Sequence, residues 1–342
     1  MNKNIQQLSV IAAKPSRNII GLMSGTSLDG LDIAYCNIKG AGLQTQVSLV
    51  HFETIPYQDD FKNEVRTIFS KENIQLQQLC LLNGWIASQH ARMVNECLQK
   101  WDIQKEEIDL IASHGQTIYH APISLHKMPK YENGTLQIGD GDHLSVQTGI
   151  ITISDFRQKH IAAGGEGAPL AVYGDYLMFK EKEKDVILLN IGGIANFTFL
   201  PADNNLSKII STDIGPGNTM MDAWVRKYYP EKDFDQDAAI ALRGRVNEVL
   251  LGALLQHPFF ALPFPRTTGP ELFNIAYLET AIAATELNHI TLEDVMATLN
   301  RFSATAIVDA LEKIISKNNT ILYVSGGGAH NPMLMDYIGK HI

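Results

Sequence analysis

Gly21-Leu-Met-Ser-Gly-Thr-Ser-Leu-Asp-Gly30 opens inside the short apolar run Ile19–Met23, and that junction decides how the chain is read. An apolar run entering a glycine turn predicts a strand that reverses. Leu31–Ile38 beyond it alternates in polarity and predicts the returning strand of a hairpin. Glycines let the main chain approach phosphate oxygens closely, and successive N–H groups make an anion-binding concavity. The turn adds the hydroxyls of Ser24, Thr26 and Ser27 and the carboxylate of Asp29. No lysine follows the glycines, so it is not a P-loop. Asp29 or Asp32 would hold Mg²⁺ through water, which suits a cation that keeps part of its hydration shell. Taken alone, the motif is equally a β-turn with Asp and Gly in ordinary turn roles.

A second turn with an aspartate, Ser211-Thr-Asp-Ile-Gly-Pro-Gly-Asn218, stands far downstream, behind Ile209-Ile210 and ahead of a helix expected from Thr219. A phosphate would sit on that helix's N-terminus. Asp213 would serve as a general base if burial raises its pKa, or it complements the helix dipole. Two such turns suggest a nucleotide held between two related halves.

The segments around them read as alternating strands and helices, an α/β class. Val47–Tyr57 is a third strand, and Phe61–Ser70 and Gln75–Trp101 are helices, the latter with Leu82, Ile86, His90 and Val94 on or near one stripe. Asp109–Ser113 is a buried strand ending in His114-Gly-Gln-Thr117, and Gly149–Asp155 another, followed by a glycine-rich turn and a helix through Met178. The charged run Lys180–Asp185 marks a domain boundary, giving domains 1–180 and 181–342. After it, strand, glycine turn and strand repeat: Asp185–Asn190, Gly192-Gly193, Phe197–Pro201. Helices follow around Met220–Tyr229, Val246–Gln256, Tyr277–Leu287 and Leu292–Ser316, and then the strand Thr320–Ser325 runs into Gly326-Gly-Gly-Ala-His-Asn331. The leader up to Asn18 reads as a disordered lead-in, too short and polar-flanked for a signal peptide.

Arg157, in Asp155-Phe-Arg157, would clamp a carboxylate or phosphate with its planar fork. His114 is either a structural histidine or part of a site at a strand's carboxyl end, where open α/β sheets bind ligands. The histidines show no metal-like grouping. The net charge of −9 argues against a nucleic-acid partner. No stretch reaches the length of a membrane helix. Cys36, Cys80 and Cys97, odd in number and without metal spacing, read as small buried hydrophobes in a reducing, cytoplasmic compartment.

In order, Gly21–Asp32, Ser113–Thr117, Asp155–Arg157 with Gly164–Pro169, Asn190–Gly193, Asp213–Asn218 and Gly326–Asn331 resemble the anhydro-N-acetylmuramic acid kinases, over nearly the whole chain from Ile19 to Asn331. The resemblance implies two actin-like, ribonuclease H-like domains with an ATP cleft between them, and a Mg²⁺-dependent reaction. Water opens the 1,6-anhydro bridge of the sugar while O6 takes the γ-phosphoryl group of ATP, in peptidoglycan recycling, commonly in a homodimer. Carried over by position, Asp213 is the base that deprotonates the attacking water. Gly25, Thr26, Ser27, Leu28, Asp29, Gly30, Leu31 and Asp32 are the first phosphate loop, with Asp29 holding Mg²⁺ through water. Asn190, Gly192 and Gly193 are the second phosphate turn, and Gly326, Gly327 and Gly328 the adenosine-side turn. His114, Gln116, Thr117, Arg157, Gly215 and Asn218 face the sugar.

Two features depart from the family's pattern. His160 stands where an acid is usual, removing a negative charge near the sugar pocket. The chain ends at Ile342, whereas members continue for roughly a few dozen residues, through a helix that returns to the first domain and an acid that reaches the substrate. This predicts exposed apolar surface and weakened sugar binding. The alternative reading is a C-terminally truncated, weakly active or inactive nucleotide-binding homologue. A third is another sugar or acetate kinase of the same superfamily.

Overall fold

The computed structural model describes residues 3–26, 28–203, 205–285, 289–315 and 319–342, and its contacts divide the chain into two compact units, Met1–Met178 and Phe179–Ile342. In the first unit, helix α1 (Lys3–Ala13) precedes strands β1 (Ser16–Ser24), β2 (Gly30–Lys39) and β3 (Gln46–Pro56). Helices α2 (Asp59–Arg66) and α3 (Leu76–Lys100) lead to the long strand β4 (Leu110–Ala121). The short helix α4 (Ile123–His126), strand β5 (Gly134–Ile138), α5 (Gly141–Thr148), β6 (Thr152–Ser154), α6 (Phe156–Ala162) and α7 (Ala171–Phe179) follow. The sheet runs β3-β2-β1-β4-β5, with β6 also paired to β4. β1, β2 and β3 are antiparallel neighbours, whereas β4 lies parallel to β1 and β6 parallel to β4.

The second unit contains β7 (Asp185–Ile191), β8 (Ile194–Leu200), β9 (Ile210–Pro216), α8 (Thr219–Tyr228), α9 (Glu248–Leu255), α10 (Ile275–Ala284), α11 (Leu292–Glu312), β10 (Thr320–Ser325) and α12 (Pro332–His341). Its sheet runs β10-β7-β8-β9, with β7, β8 and β9 antiparallel and β10 parallel to β7. The order β9-β8-β7-β10 therefore repeats β3-β2-β1-β4, direction for direction. Two α/β units with this ribonuclease H-like strand order agree with the fold class expected. Each repeat has a helix before its fourth strand. α3 buries Leu82, Ile86, His90, Val94 and Cys97 along one stripe, while α11 is buried from Val295 to Leu311 except along Arg301, Thr305 and Asp309.

Several expectations are corrected. The leader is a helix rather than a disordered lead-in: Ile11 of α1 is buried, and Lys14 just after it pairs with the buried carboxylate of Asp109. His114–Thr117 do not end a strand. β4 passes through them, because Gly115 takes a left-handed turn (φ 72°) that lets the chain continue and pair with β5. The strand expected at Gly149–Asp155 shrinks to β6, and the helix expected through Met178 is interrupted between α6 and α7. Asp213 lies inside β9, opposite Asn196, rather than in a turn, and the residue that caps α8 is Asn218. Among the cysteines only Cys97 is buried; Cys80 is exposed and Cys36 intermediate. Leu287 and Ser316, expected ends of two helices, lie outside the described residues.

Candidate functional site

In the first unit the parallel strands β1, β4 and β6 bring three serines to neighbouring positions: Ser24 ends β1, Ser154 ends β6, and Ser113 pairs with Ser154. This is the sheet edge where ligands bind in open α/β folds. The loop Gly25–Asp29 rises from it, with Thr26 and Asp29 exposed and Ser27 outside the described residues. Leu28 (φ 57°) and Leu31 turn their side chains into the core, so neither presents a side chain to a ligand. Leu31 is also committed to the β2 ladder on both sides, a correction to its place in the expected cofactor set. Asp29 Oδ1 accepts the Gly30 N–H at 3.0 Å, and Asp32 Oδ1 accepts the Thr54 hydroxyl at 2.5 Å. Among the described residues no group of three His, Cys, Asp or Glu side chains is placed to hold a metal ion.

His114 accepts the Arg157 Nε–H at its Nε2 (2.8 Å) and donates Nδ1–H to the carbonyl of Gly115 (2.9 Å). That arrangement requires a neutral imidazole. Burial, helped by the Arg157 charge, holds its pKa below the ordinary histidine value. Both ring nitrogens are engaged, so His114 orients Arg157 rather than offering a free base. Arg157 is fixed further by an NH1 hydrogen bond to the carbonyl of Gly167 at 2.7 Å. His160 belongs to this bracket: its Nδ1 accepts the Gly167 N–H at 3.2 Å, and its ring packs so closely on Gly165 that a Cβ there would lie 2.1 Å from Nε2. Where an acid was expected, a histidine braces the loop that holds Arg157.

Gln116 corrects its expected role. It is wholly buried, and its amide is spent on Ser24, Gly25 and Thr117, so it does not face a sugar in this structure. Thr117 is partly exposed beside it, accepting Gln137 Nε2 at 3.3 Å. A cavity of about 180 Å³ adjoins His114, Gln137, Asp140, Ser154 and Asp155.

In the second unit three glycine segments converge at the ends of β7, β9 and β10. Asn218 N–H bonds the carbonyl of Gly192 (2.8 Å), and Gly217 N–H bonds that of Gly193 (2.9 Å). A Cβ on Gly326 would meet Asn190 Oδ1 at 2.6 Å and the Ile191 carbonyl at 2.7 Å. Asn190, Gly192, Gly193, Asn218 and Gly326–Gly328 thus form one cluster, which brings Asn218, expected on the sugar side, to the two glycine turns. Beside it opens a cavity of about 610 Å³ lined in part by Asn218, Asp222, Arg226, Phe234, Gly327 and His330. That volume is ordinary for a small-molecule site. Burial raises the Asp222 carboxyl to about 6, with Arg226 opposing and Asp233 adding to the shift. Gly215 is buried in β9, paired with Ala195 and packed on Phe260, so it offers no side surface to a sugar.

Asp213 is half-buried, and its Oδ2 accepts the Thr268 N–H at 2.9 Å. Burial raises its pKa, with the Thr268 N–H opposing, Glu271 adding and Arg266 opposing. The sequence reading missed Arg266, which is 7% exposed. Its carbonyl accepts the Asp213 N–H (2.9 Å), and its guanidinium donates to the carbonyls of Asp213, Ile214, Phe259, Phe260 and Leu262. Phe259 and Phe264 cover its faces at 4.4 and 5.0 Å. A buried cation satisfied by carbonyls fixes the backbone on both sides of Asp213. The signal in the sequence was an arginine inside the aromatic run Phe259–Arg266.

The anhydro-N-acetylmuramic acid kinase family model matches residues 17–342. A relative of that name from Pseudoalteromonas atlantica is 56% identical over 339 residues, covering 99% of this chain and 84% of the relative. One from Pseudoalteromonas translucida is 52% identical with the same coverage. A third, from Caldanaerobacter subterraneus, is 36% identical over 99% of this chain and 86% of its own length.

Proposed function

We propose a reaction for this chain from the premise that it belongs to the anhydro-N-acetylmuramic acid kinase family and is a phosphotransferase of that kind. The proposed substrates are ATP and anhydro-N-acetylmuramic acid. Water adds to C1 of the sugar, the C1–O6 bond breaks, and O6 takes the γ-phosphoryl group as ADP leaves. The water proton passes to Asp213. The products are N-acetylmuramic acid 6-phosphate and ADP.

The observation that carries this reading is the state of Asp213. A carboxylate whose pKa is raised by burial is a stronger base than an exposed one, and the Thr268 N–H together with Arg266 fixes its orientation. The nucleoside is assigned to the 610 Å³ cavity beside Gly327, and the glycine turns Gly25–Asp32 and Asn190–Gly193 are each read as phosphate-binding. Residues 1–180 and 181–342 are taken as the two domains, the first with the phosphate loop and sugar-side residues. In the first unit, Arg157 suits the lactyl carboxylate, since its fork is oriented by His114 and Gly167. Thr117 supplies a hydroxyl nearby. The oxygen donor of Asp29 fits Mg²⁺ held largely through water and phosphate oxygens, and the ion, when bound, neutralises charge on the transferring group. Place of action is read as the cytoplasm, in peptidoglycan recycling, with a homodimer as the assembly. Among the described residues no helix is long and apolar enough to cross a membrane.

An ADP-release assay with the anhydro sugar tests the assignment. Asp213→Asn should lose about 10²–10⁴-fold in kcat, the usual worth of a positioned base. Full activity in that variant removes Asp213 from the role. ATP binding without sugar-dependent ADP release in the wild type would leave the inactive nucleotide-binding homologue instead.

A further inference from the structure

Beneath the first glycine loop lies a chain of polar side chains that the reaction above does not use. Ser24, Tyr57, His90 and Gln116 are 1, 3, 1 and 0% exposed. Buried polar groups of this kind are costly unless every member is satisfied. Here each is, and the donors can be assigned in only one direction. The Gln116 amide nitrogen donates to the carbonyls of Gly25 (3.1 Å) and Thr117 (3.2 Å). Its Oε1 therefore faces Ser24 and must accept the Ser24 hydroxyl proton at 2.5 Å. Ser24 Oγ then accepts from the Tyr57 hydroxyl at 2.6 Å. With its proton given to Ser24, the Tyr57 oxygen accepts from His90 Nε2–H at 2.9 Å. His90 is neutral, its pKa pushed down to about 4 by burial. The chain thus starts on α3 and ends on the Gly25 carbonyl.

We propose that His90, Tyr57 and Gln116 are positioning residues that aim the Thr26 N–H outward as an anion donor in the first phosphate loop. In a trans peptide the C=O and the following N–H point in opposite directions. Pinning the Gly25 carbonyl inward on Gln116 turns the Thr26 N–H away from the core, on the side where Thr26 is exposed. Folding alone does not demand this chain. At the corresponding end of the second sheet β7 closes on Ile191, Gly217 follows β9, and Gly328, in the turn after β10, packs on Ile191. That sheet is built with an apolar side chain and two glycines there. There the buried Ser303 of α11 donates to the Gly217 carbonyl at 2.8 Å, a single link where the first unit has a chain of four side chains, so the longer chain is particular to the first loop.

The inference rests on the reading of Gly25–Asp32 as a phosphate loop, and its test separates the two. Tyr57→Phe removes both hydroxyl bonds but keeps the ring that stacks on Phe61 at 3.8 Å. Calorimetric affinities for ATP and adenosine, the KM for the sugar, and the melting temperature are compared with wild type. The expected result is an ATP affinity about tenfold weaker, as for one lost charge-assisted hydrogen bond, with adenosine affinity and sugar KM unchanged. His90→Leu should repeat the loss. His90→Gln, which restores a donor, should recover most of it. Ser24→Ala supplies the same comparison if Tyr57→Phe does not fold. Wild-type preference for ATP over adenosine retained in all of these variants overturns the network alone, as do equal losses for both ligands. A wild-type chain that binds ATP no better than adenosine overturns the phosphate-loop reading and the network with it.

Discussion

The two sheets solve one problem by opposite means. Each carries a turn between its first two strands, and each turn is held from beneath by residues within or just beyond the third and fourth strands. In the first unit the support is side chains: Tyr57 and Gln116 hydrogen-bond Ser24, and Gln116 reaches on to Gly25. In the second it is mainly backbone packed closely at two glycines, with Ser303 Oγ donating to the Gly217 carbonyl and Asn218 Nδ2 to that of Ile191. A Cβ on Gly217 would stand 2.2 Å from the Gly192 carbonyl, and one on Gly328 would lie 2.2 Å from Ile191 Cγ2. The side-chain solution leaves room for a five-residue loop, Gly25–Asp29, between β1 and β2; the backbone solution leaves only Gly192-Gly193 between β7 and β8. One repeat can therefore diverge in chemistry while strand order stays the same.

The hardest way to break this comparison is Gly217→Ala. The new Cβ meets main-chain atoms that no rotamer can move, so the β7–β8 turn must shift, at about 2–3 kcal/mol of stability. Urea denaturation reads the loss, and wild-type stability would mean the second turn has slack after all. Next is Arg266→Lys, which keeps the charge but loses the fork that ties Asp213 and Ile214 to the Phe259–Leu262 turn. Misplacing a base by an ångström costs up to about 10²-fold. The expected signature is a fall in kcat of about 10–100-fold with ATP affinity near wild type, because the glycine cluster is untouched. Equal damage to ATP binding would show that Asp213 and the glycine turns move as one.

The smallest effect contrasts two acids. Asp140, in the first unit, is held below the usual carboxylate range by the His143 side-chain hydrogen bond and the His143 N–H, so its charge is compensated. Asp222, in the second, is raised to about 6 chiefly by burial. The folded state therefore holds the Asp222 proton more tightly than the unfolded chain, whose carboxyl titrates at about 3.9. Its contribution is most favourable below that value and is lost as pH rises through about 6. Asp222→Asn should match wild type in stability at pH about 4 and exceed it at pH about 8 by about 1 kcal/mol, allowing for solvent screening of a partly exposed site. Identical stability–pH curves for variant and wild type remove the burial argument.

Much of the strand plan was legible because it is local. Leu31–Ile38 alternates, and β2 forms there; Val47–Tyr57 is β-branched and aromatic, and β3 forms there. The errors came where a partner distant in sequence decides the structure. Gly215-Pro-Gly217 reads as a turn, yet β8 captures Asp213–Pro216 as a strand. His114-Gly-Gln reads as a strand end, yet β5 recruits the chain beyond Gly115. His90 was visible on the α3 stripe, but its partner Tyr57 sits 33 residues away, and nothing in the intervening pattern joins them.

The sequence by itself determined the repeat of strand, glycine turn and strand, the class of fold, and the motifs on which membership of the kinase family rests. All of these depend on periodicity and on residue types at short spacing. Only the tertiary structure decided which polar residues face a ligand and which face the core. Gln116 and Arg157 both looked like sugar contacts; one is buried as a strut, and the other is held half-exposed by His114 and Gly167. The physical reason is that a polar side chain goes where its hydrogen bonds are satisfied, and those partners are assembled only when β1, β4 and α3 come together. The Ser24 that opens the first glycine turn is thus the buried link of that assembly.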